Sequence, residues 1–208
     1  MQEVDFIFSI LILIMSVVVH EVSHGYVANI LGDPTARLEG RLTLNPIKHL
    51  DPVGSVIVPT ATYFLSGFIF GWAKPVPYNP YNLRNQKWGT ALVASAGALS
   101  NFLIAAVFGI LIRFSDDLGI ASLAFINIAS IVVFLNLILG VFNLIPIPPL
   151  DGSKVLFSLL PHRWRHIQNF LEQYWLFLVF FLIFFLWSFI FPVVSFLFQI
   201  LTGIGLPA

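Results

Sequence analysis

Long apolar runs separated by short polar segments dominate the hydrophobic pattern of this chain. A helix needs about 20 apolar residues to cross a bilayer, so runs of this length indicate transmembrane helices. The pattern predicts membrane segments at 6–31, 53–70, 89–113, 121–145 and 170–191, with a shorter apolar tail at 193–206 after Pro192. The composition agrees, because 58% of the 208 residues are hydrophobic and only 10% are charged. We therefore expect an integral membrane protein of helical type.

The predicted fold class is an all-α polytopic membrane protein with about five to six membrane segments. Two glycines and a proline interrupt segment 53–70, which either crosses the bilayer or re-enters on the same side. Apolar residues partly alternate over 38–44, which predicts a small membrane-associated β-hairpin after the first span, with an irregular amphipathic loop as the alternative. Neither a repeat nor a soluble domain is visible. We expect residues 1–208 to form one membrane-embedded domain, with a core at 6–165 and C-terminal accessory spans at 170–206.

Charge and cysteine content narrow the possible chemistry. Ten basic and ten acidic residues give a net charge of zero, so nothing indicates a nucleic-acid partner. The chain has no cysteine, which excludes disulfides and thiolate ligands. A metal site in this protein must therefore use histidine, aspartate or glutamate.

The first apolar run contains a metal-binding pattern, His-Glu-x-x-His, at residues 20–24. Two histidines four residues apart lie on the same face of a helix, so His20 and His24 can reach one zinc ion. The adjacent Glu21 can act as the general base for a water molecule. Ionisable groups at membrane depth are costly and normally have a functional reason. The alternative is a helix whose histidines only hydrogen-bond to neighbouring helices.

The charges around the first segment predict its orientation. Acidic residues precede it and basic residues follow it, namely Glu3 and Asp5, then Arg37, Arg41 and Lys48. The positive-inside rule then places the N-terminus outside and the site nearer the cytosolic side. If 53–70 re-enters, segment 121–145 returns the chain to that same side. A simple crossing would instead leave the basic stretch 162–166 outside, against the rule.

A catalytic zinc needs a third protein ligand and an open position for water. Asp151 is the best candidate, because it follows a proline-broken stretch in apolar surroundings and reaches the side of His20 in the re-entrant topology. The alternative for Asp151 is a helix cap for the residues after it. His49 and Asp51 are flanked by turn residues and are expected at the membrane interface instead.

Two motifs together resemble the signatures of the site-2 protease family of intramembrane zinc metalloproteases. They are His-Glu-Val-Ser-His at 20–24 and Asn-Leu-Ile-Pro-Ile-Pro-Pro-Leu-Asp-Gly at 143–152. Residues 71–77 and 82–85 also resemble a stretch that is typical of short prokaryotic members of the family. Those members have no PDZ or CBS domain. The resemblance covers roughly residues 6–165. One departure is Gly97-Ala98, where family members often have Gly-Pro.

The resemblance implies a role for each matched residue. His20, His24 and Asp151 would be ligands of one Zn²⁺ per chain, and Glu21 would be the catalytic base. Asn143 would steady the oxyanion or hold the substrate strand. Asn101, which follows the small-residue patch, is interpreted as packing or cavity lining.

The expected function is zinc-dependent hydrolysis of peptide bonds in or near transmembrane segments of substrate proteins within the lipid bilayer. A helical substrate must unwind locally, and extended strands at 38–44 and 143–149 are expected to hold it by strand addition. The alternatives are a polytopic metal transporter and an inactive, substrate-binding relative. A transporter needs no glutamate beside its first ligand, and the intact Glu21 argues against an inactive protein. The location implied is a prokaryotic cell membrane.

Overall fold

A computed structural model of the chain describes residues 2–58, 60–61, 64, 72–181 and 187–206. Within these ranges, the regular structure is helical and no strand is present. The α-helices are α1 (Gln2–Ile30), α2 (Thr35–Leu38), α3 (Gln86–Arg113), α4 (Leu123–Asn143), α5 (Asp151–Leu159), α6 (Arg165–Gln173), α7 (Trp175–Phe181) and α8 (Trp187–Thr202). Short 3₁₀ or π turns occupy Pro46–His49, Val53–Ile57, Pro80–Asn82 and His162–Trp164.

Three described helices are long and apolar enough to cross a bilayer, at Phe8–Ile30, Gln86–Arg113 and Leu123–Asn143. They confirm the predicted segments 6–31, 89–113 and 121–145 to within a few residues at each end. Polar side chains at the helix starts explain two of the boundaries. The Asn85 side chain accepts a hydrogen bond from the Trp88 N–H, and Ser122 accepts one from the Phe125 N–H.

Helix α3 is the centre of the bundle, because it packs against α1, α4, α5 and α8. Its small residues allow this close approach, as Ala94, Ala96 and Ala98 are all buried against neighbouring helices. At one end, α3, α4 and α8 share an apolar cluster that includes Ala105, Leu137 and Phe198. At the other end, α3 lies along α1.

Helices α1 and α3 are antiparallel. The end of α1 meets the residues before α3, since the Arg84 N–H donates to the Leu31 carbonyl at 3.0 Å. Further along, His20 of α1 bonds to Asn101 of α3 at 2.7 Å, so residue numbers rise on one helix as they fall on the other. The connection from 32 to 84 therefore begins and ends at the same end of these two helices.

The described residues at the start of the apolar segment 53–70 lie beside those that follow it. The Trp72 N–H donates to the Gly54 carbonyl at 3.0 Å, and the Lys74 N–H donates to the His49 carbonyl at 2.8 Å. Half of the predicted segment, residues 65–70 in particular, lies outside the described residues, so neither the crossing nor the re-entrant form of 53–70 is observed directly.

The predicted β-hairpin at 38–44 is wrong, and the alternative of an irregular loop is what forms. Residue 38 ends α2, and the chain then runs through a turn into irregular backbone. The Arg41 N–H donates to the Ala36 carbonyl, which continues the turn instead of pairing a strand. The stretch 143–149, expected to be extended, begins with the last residue of α4 and continues in turns and bends over 144–149, because its prolines cannot donate to a strand ladder.

The predicted single span at 170–191 is not continuous in the described residues. Helix α6 ends before Tyr174, α7 follows, and residues 182–186 lie outside the described part. Pro192 does not separate two segments, since it lies inside α8. Proline removes one backbone hydrogen bond, and membrane helices tolerate it where neighbouring helices, polar side chains or local adjustments satisfy the freed carbonyl.

Candidate metal centre

The His-Glu-x-x-His motif lies in the second half of α1, where helix geometry places its two histidines one turn apart. Both side chains are buried, with 5% of His20 and 7% of His24 exposed. Their rings meet edge to face with centroids 4.7 Å apart, and their Nε2 atoms are 3.1 Å apart. The local sequence thus brings two metal-binding nitrogens to one point.

Asp151 completes a cluster of three at this point. Its Oδ2 lies 3.0 Å from Nε2 of His20 and 3.0 Å from Nε2 of His24. The turn at 144–150 makes this approach possible, and Gly152 is required in it, because a Cβ there would overlap the Leu144 carbonyl. Asp151 is the first residue of α5 and Leu150 is its N-cap, so the helix-cap alternative for Asp151 does not hold.

The other nitrogen of each histidine is held by an acceptor on α3. Nδ1 of His24 lies 2.6 Å from the Val93 carbonyl, which can only accept, so this nitrogen carries the proton. Nδ1 of His20 lies 2.7 Å from Oδ1 of Asn101 and donates to it in the same way. In the neutral rings, both Nε2 atoms then present lone pairs toward Asp151. This is the arrangement of a metal ligand oriented by its second hydrogen bond.

The three converging atoms fit a zinc ion. Zinc–nitrogen and zinc–oxygen bonds of about 2.0–2.2 Å in a tetrahedral site imply ligand atoms about 3.3–3.6 Å apart. The observed separations of 3.0–3.1 Å are close to this value. Two lone pairs and a carboxylate oxygen repel one another in a buried site unless a cation or an added proton lies between them. The two histidine nitrogens and the Asp151 oxygen are therefore suited to binding a zinc ion.

The second oxygen of Asp151 has its own partner. Lys154 Nζ donates to Oδ1 at 2.9 Å, which leaves Oδ2 directed at the histidines. Burial opposes the charge on Lys154, but the neighbouring Asp151 carboxylate outweighs it and raises the pKa of the Lys154 ammonium above its ordinary value. The Asp151 carboxylate thus directs one oxygen at the metal centre and accepts a hydrogen bond from the Lys154 ammonium with the other.

Glu21 lies beside the centre but outside the cluster of ligand atoms. Its Oε2 accepts a hydrogen bond of 2.8 Å from the backbone N–H of Val76. Pro75 and Pro77 flank Val76 and have no N–H, so Val76 supplies the one donor of this three-residue stretch. Arg41 holds the same stretch from the other side by donating to the Lys74 carbonyl at 2.8 Å. The Glu21 carboxylate is therefore fixed by one oxygen.

Asn143 forms its hydrogen bond within its own helix and not with the ligand atoms of the cluster. Its Nδ2 donates to the Leu139 carbonyl, one turn earlier in α4, at 3.0 Å. The assignment of Asn143 to the oxyanion or the substrate strand stays a prediction.

His49 is buried and bonds to the Thr43 carbonyl, while Asp51 accepts from two backbone N–H groups at the start of the next turn.

Sequence reasoning missed the contribution of three residues to the site. Asn101 is not only a packing residue, because it bonds directly to His20. Asn136 is fully buried and bonds to Asn101. An amide within an apolar helix was a signal for both, since such a group needs a partner. Val76 acts through its backbone, which leaves no mark on the identity of the side chain.

Comparison with known proteins agrees with this chemistry. A family model described as Peptidase family M50 matches residues 115–186, which include Asp151. The protein named "Putative zinc metalloprotease YwhC" of Bacillus subtilis is 38% identical over 193 residues, which cover 89% of this chain and 85% of that protein. The protein named "Putative zinc metalloprotease Rip2" of Mycolicibacterium smegmatis is 31% identical over 69% of this chain and 53% of its own length.

A more distant relative has a similar name. A protein named "Putative zinc metalloprotease Rip2" of Mycobacterium tuberculosis is 28% identical over 90% of this chain and 71% of its own length. No solved structure matches the chain significantly. The extent of the Bacillus match, the family model and the buried His-His-Asp cluster lead to one conclusion. This chain belongs to peptidase family M50, the site-2 protease family, and is a zinc metalloprotease of the membrane.

Proposed function

We propose that this enzyme hydrolyses peptide bonds in or near the transmembrane segments of other membrane proteins. In this proposal His20, His24 and Asp151 hold the zinc ion, and Glu21 is the general base. The observation that carries it is the position of the cluster: three buried ligand atoms lie between helices of membrane-spanning length. A substrate peptide bond must then reach a site enclosed by these helices.

The residues of the centre divide the chemistry between them. A bound zinc ion supplies a Lewis acid, which acidifies water and polarises the scissile carbonyl. Glu21 takes the proton from the attacking water and passes it to the leaving nitrogen. The Val76 N–H holds Oε2 of Glu21, which leaves Oε1 for the proton transfer. Burial of the cluster keeps bulk water away from the bond being cleaved.

The arrangement of the helices supports the re-entrant topology and a site nearer the cytosol. The connection between α1 and α3 begins and ends at one end of these helices. Helix α4 then returns the chain to the level of His20, because Asn136 bonds to Asn101. Under the positive-inside rule, the end of α1 faces the cytosol, where Arg37 and Lys48 follow it. The membrane of a prokaryotic cell is the proposed location.

In this proposal, only the irregular stretch after Arg41 binds the substrate by strand addition. Thr43 and Leu44 have no strand partner among the described residues, and Leu44 is exposed. Replacing both by glycine should lower cleavage without loss of zinc, because neither residue contacts the ligands. Arg41 must be kept in this test, since it holds the Lys74 carbonyl beside Glu21. Unchanged cleavage would exclude this role.

The central test compares Glu21→Gln with Asp151→Ala in purified, reconstituted protein. Glu21→Gln should retain about one zinc per chain and lose cleavage of a transmembrane substrate, because the ligands remain and the base is gone. Asp151→Ala should lose both. Wild-type protein that binds zinc but cleaves nothing would indicate the inactive relative. Metal uptake into vesicles that survives Glu21→Gln would indicate a transporter.

A further inference from the structure

A chain of buried polar groups leads away from the metal centre into α4. It runs from His20 through Asn101 and Asn136 to Ser16, and each of these residues is at most 5% exposed. The bonds are 2.7 Å from His20 to Asn101, 2.8 Å from Asn101 to Asn136 and 2.9 Å from Asn136 to Ser16. Three helices, α1, α3 and α4, are thus joined through side chains at membrane depth.

The chain has a direction, and a backbone carbonyl sets it. Nδ2 of Asn136 donates to the Val132 carbonyl at 2.9 Å. A carbonyl accepts only, so this contact fixes the amide end of Asn136 and turns its Oδ1 toward Asn101. Nδ2 of Asn101 donates to that oxygen, which turns Oδ1 of Asn101 toward His20. An inverted Asn136 would set its oxygen against the Val132 carbonyl.

We propose that Asn136 is a positioning residue for the metal centre, although it touches no ligand atom. By orienting Asn101, it keeps the proton of His20 on Nδ1 and leaves Nε2 available for zinc. This inference rests on the proposed ligand set. It goes beyond that set because it assigns part of the zinc affinity to a residue on α4, which supplies no ligand.

A role in helix packing alone makes a different prediction. A packing residue could be exchanged for leucine of similar size with an effect on stability but none specific to metal. In the proposed role, leucine at 136 leaves Nδ2 of Asn101 with the Ser16 carbonyl at 3.5 Å as its remaining contact. The Asn101 amide is then free to invert and to present its NH₂ group to His20. Such an inversion places the proton of His20 on Nε2, where zinc must bind.

The test measures zinc affinity by chelator competition on the full-length protein in detergent. Asn136→Leu should weaken zinc binding about 10- to 100-fold, as expected for the loss of an outer-shell partner. Asn136→Asp is the matched control, because its neutral carboxyl group can still accept from Asn101 and donate to Val132. It should bind zinc within a few-fold of wild type. The absorption spectrum of the cobalt-substituted protein should change in the leucine variant and not in the aspartate variant.

A double variant separates positioning from folding. A carboxylate has two equivalent acceptor oxygens, so Asn101→Asp needs no partner to orient it. In the Asn101→Asp background, Asn136→Leu should therefore lose most of its effect on zinc affinity. An equal loss in both backgrounds, or wild-type affinity in Asn136→Leu, would overturn the proposal. Zinc retained in Asp151→Ala would instead refute the ligand set itself, so the two failures are distinguishable.

Discussion

Gly97 offers the sharpest test of how the bundle holds the metal centre. This residue of α3 faces the two histidines with no side chain between them. A Cβ added there would lie 2.5 Å from both Cε1 and Nε2 of His20, and 2.6 Å from Nε2 of His24. Ordinary van der Waals contact begins at 3.4 Å, so the rings would have to move by up to about 0.9 Å.

The expected cost of Gly97→Ala follows from that displacement. Metal ligands must be held within about 0.5 Å, and a shift of about 1 Å at a catalytic site can cost on the order of 100-fold. We therefore expect zinc affinity and cleavage to fall on the order of 100-fold. Alanine is the better helix former by about 1 kcal/mol, so weakened helix propensity cannot account for such a loss.

Gly109→Ala is the matched control for this experiment. It lies on the same helix, and its added Cβ would meet the Leu201 Cβ at 2.7 Å, far from the histidines. We expect a lower thermal unfolding temperature for this variant with zinc affinity unchanged. Chelator competition measures the zinc affinity of both purified variants, and a thermal melt measures their unfolding temperatures. Wild-type zinc affinity in Gly97→Ala would refute the close packing of α3 against the ligands.

Substitutions at Val76 and Asp33 test two further sets of hydrogen bonds. Val76→Pro removes the N–H that holds Glu21, so cleavage should fall about 10- to 100-fold while zinc stays bound. The control Val76→Ala keeps this N–H and should retain activity. Equal activity in both variants would refute the role of the N–H. For Asp33, burial opposes ionisation, but donors from Thr35, Asn82 and Asn79 outweigh it and hold the pKa of this carboxyl below its ordinary value. The charged form therefore stabilises the fold above the pKa of the unfolded chain, and the stabilisation is lost as pH falls through the lower pKa of the folded protein. Asp33→Asn should lower stability at pH 7 by about 1–3 kcal/mol and flatten the acid dependence of the melting temperature; an unchanged acid dependence would refute this.

The parts of the site that the sequence predicts are those fixed by local geometry. His20 and His24 are four residues apart on one helix, so their convergence needs no knowledge of the fold. Asp151 lies 131 positions from His20. It was predicted from the topology of the segments and from the family resemblance, and the structure places it in the cluster.

The remaining contacts depend on how the helices pack, which spacing along one chain does not determine. Asn101 and Asn136 are visible in the sequence as polar residues in apolar runs, but their pairing depends on the crossing of α3 and α4. The hairpin prediction failed for a related reason, since alternation over a few residues does not distinguish a strand from a loop held by tertiary contacts. Here Arg41 reaches the Lys74 carbonyl, and that contact holds the loop.

The acceptors that hold both histidines lie on a single helix. The geometry of the metal centre therefore depends on the register of α3 against α1. Val93 and Asn101 are both on α3, eight residues apart. A slip of α3 by one residue would shift it about 1.5 Å and rotate it by about 100°, so both histidines would lose their partners together. Zinc affinity should therefore report the alignment of α1 with α3 before any loss of helical content. Conversely, bound zinc favours the aligned bundle, because it binds only where the helices are in register.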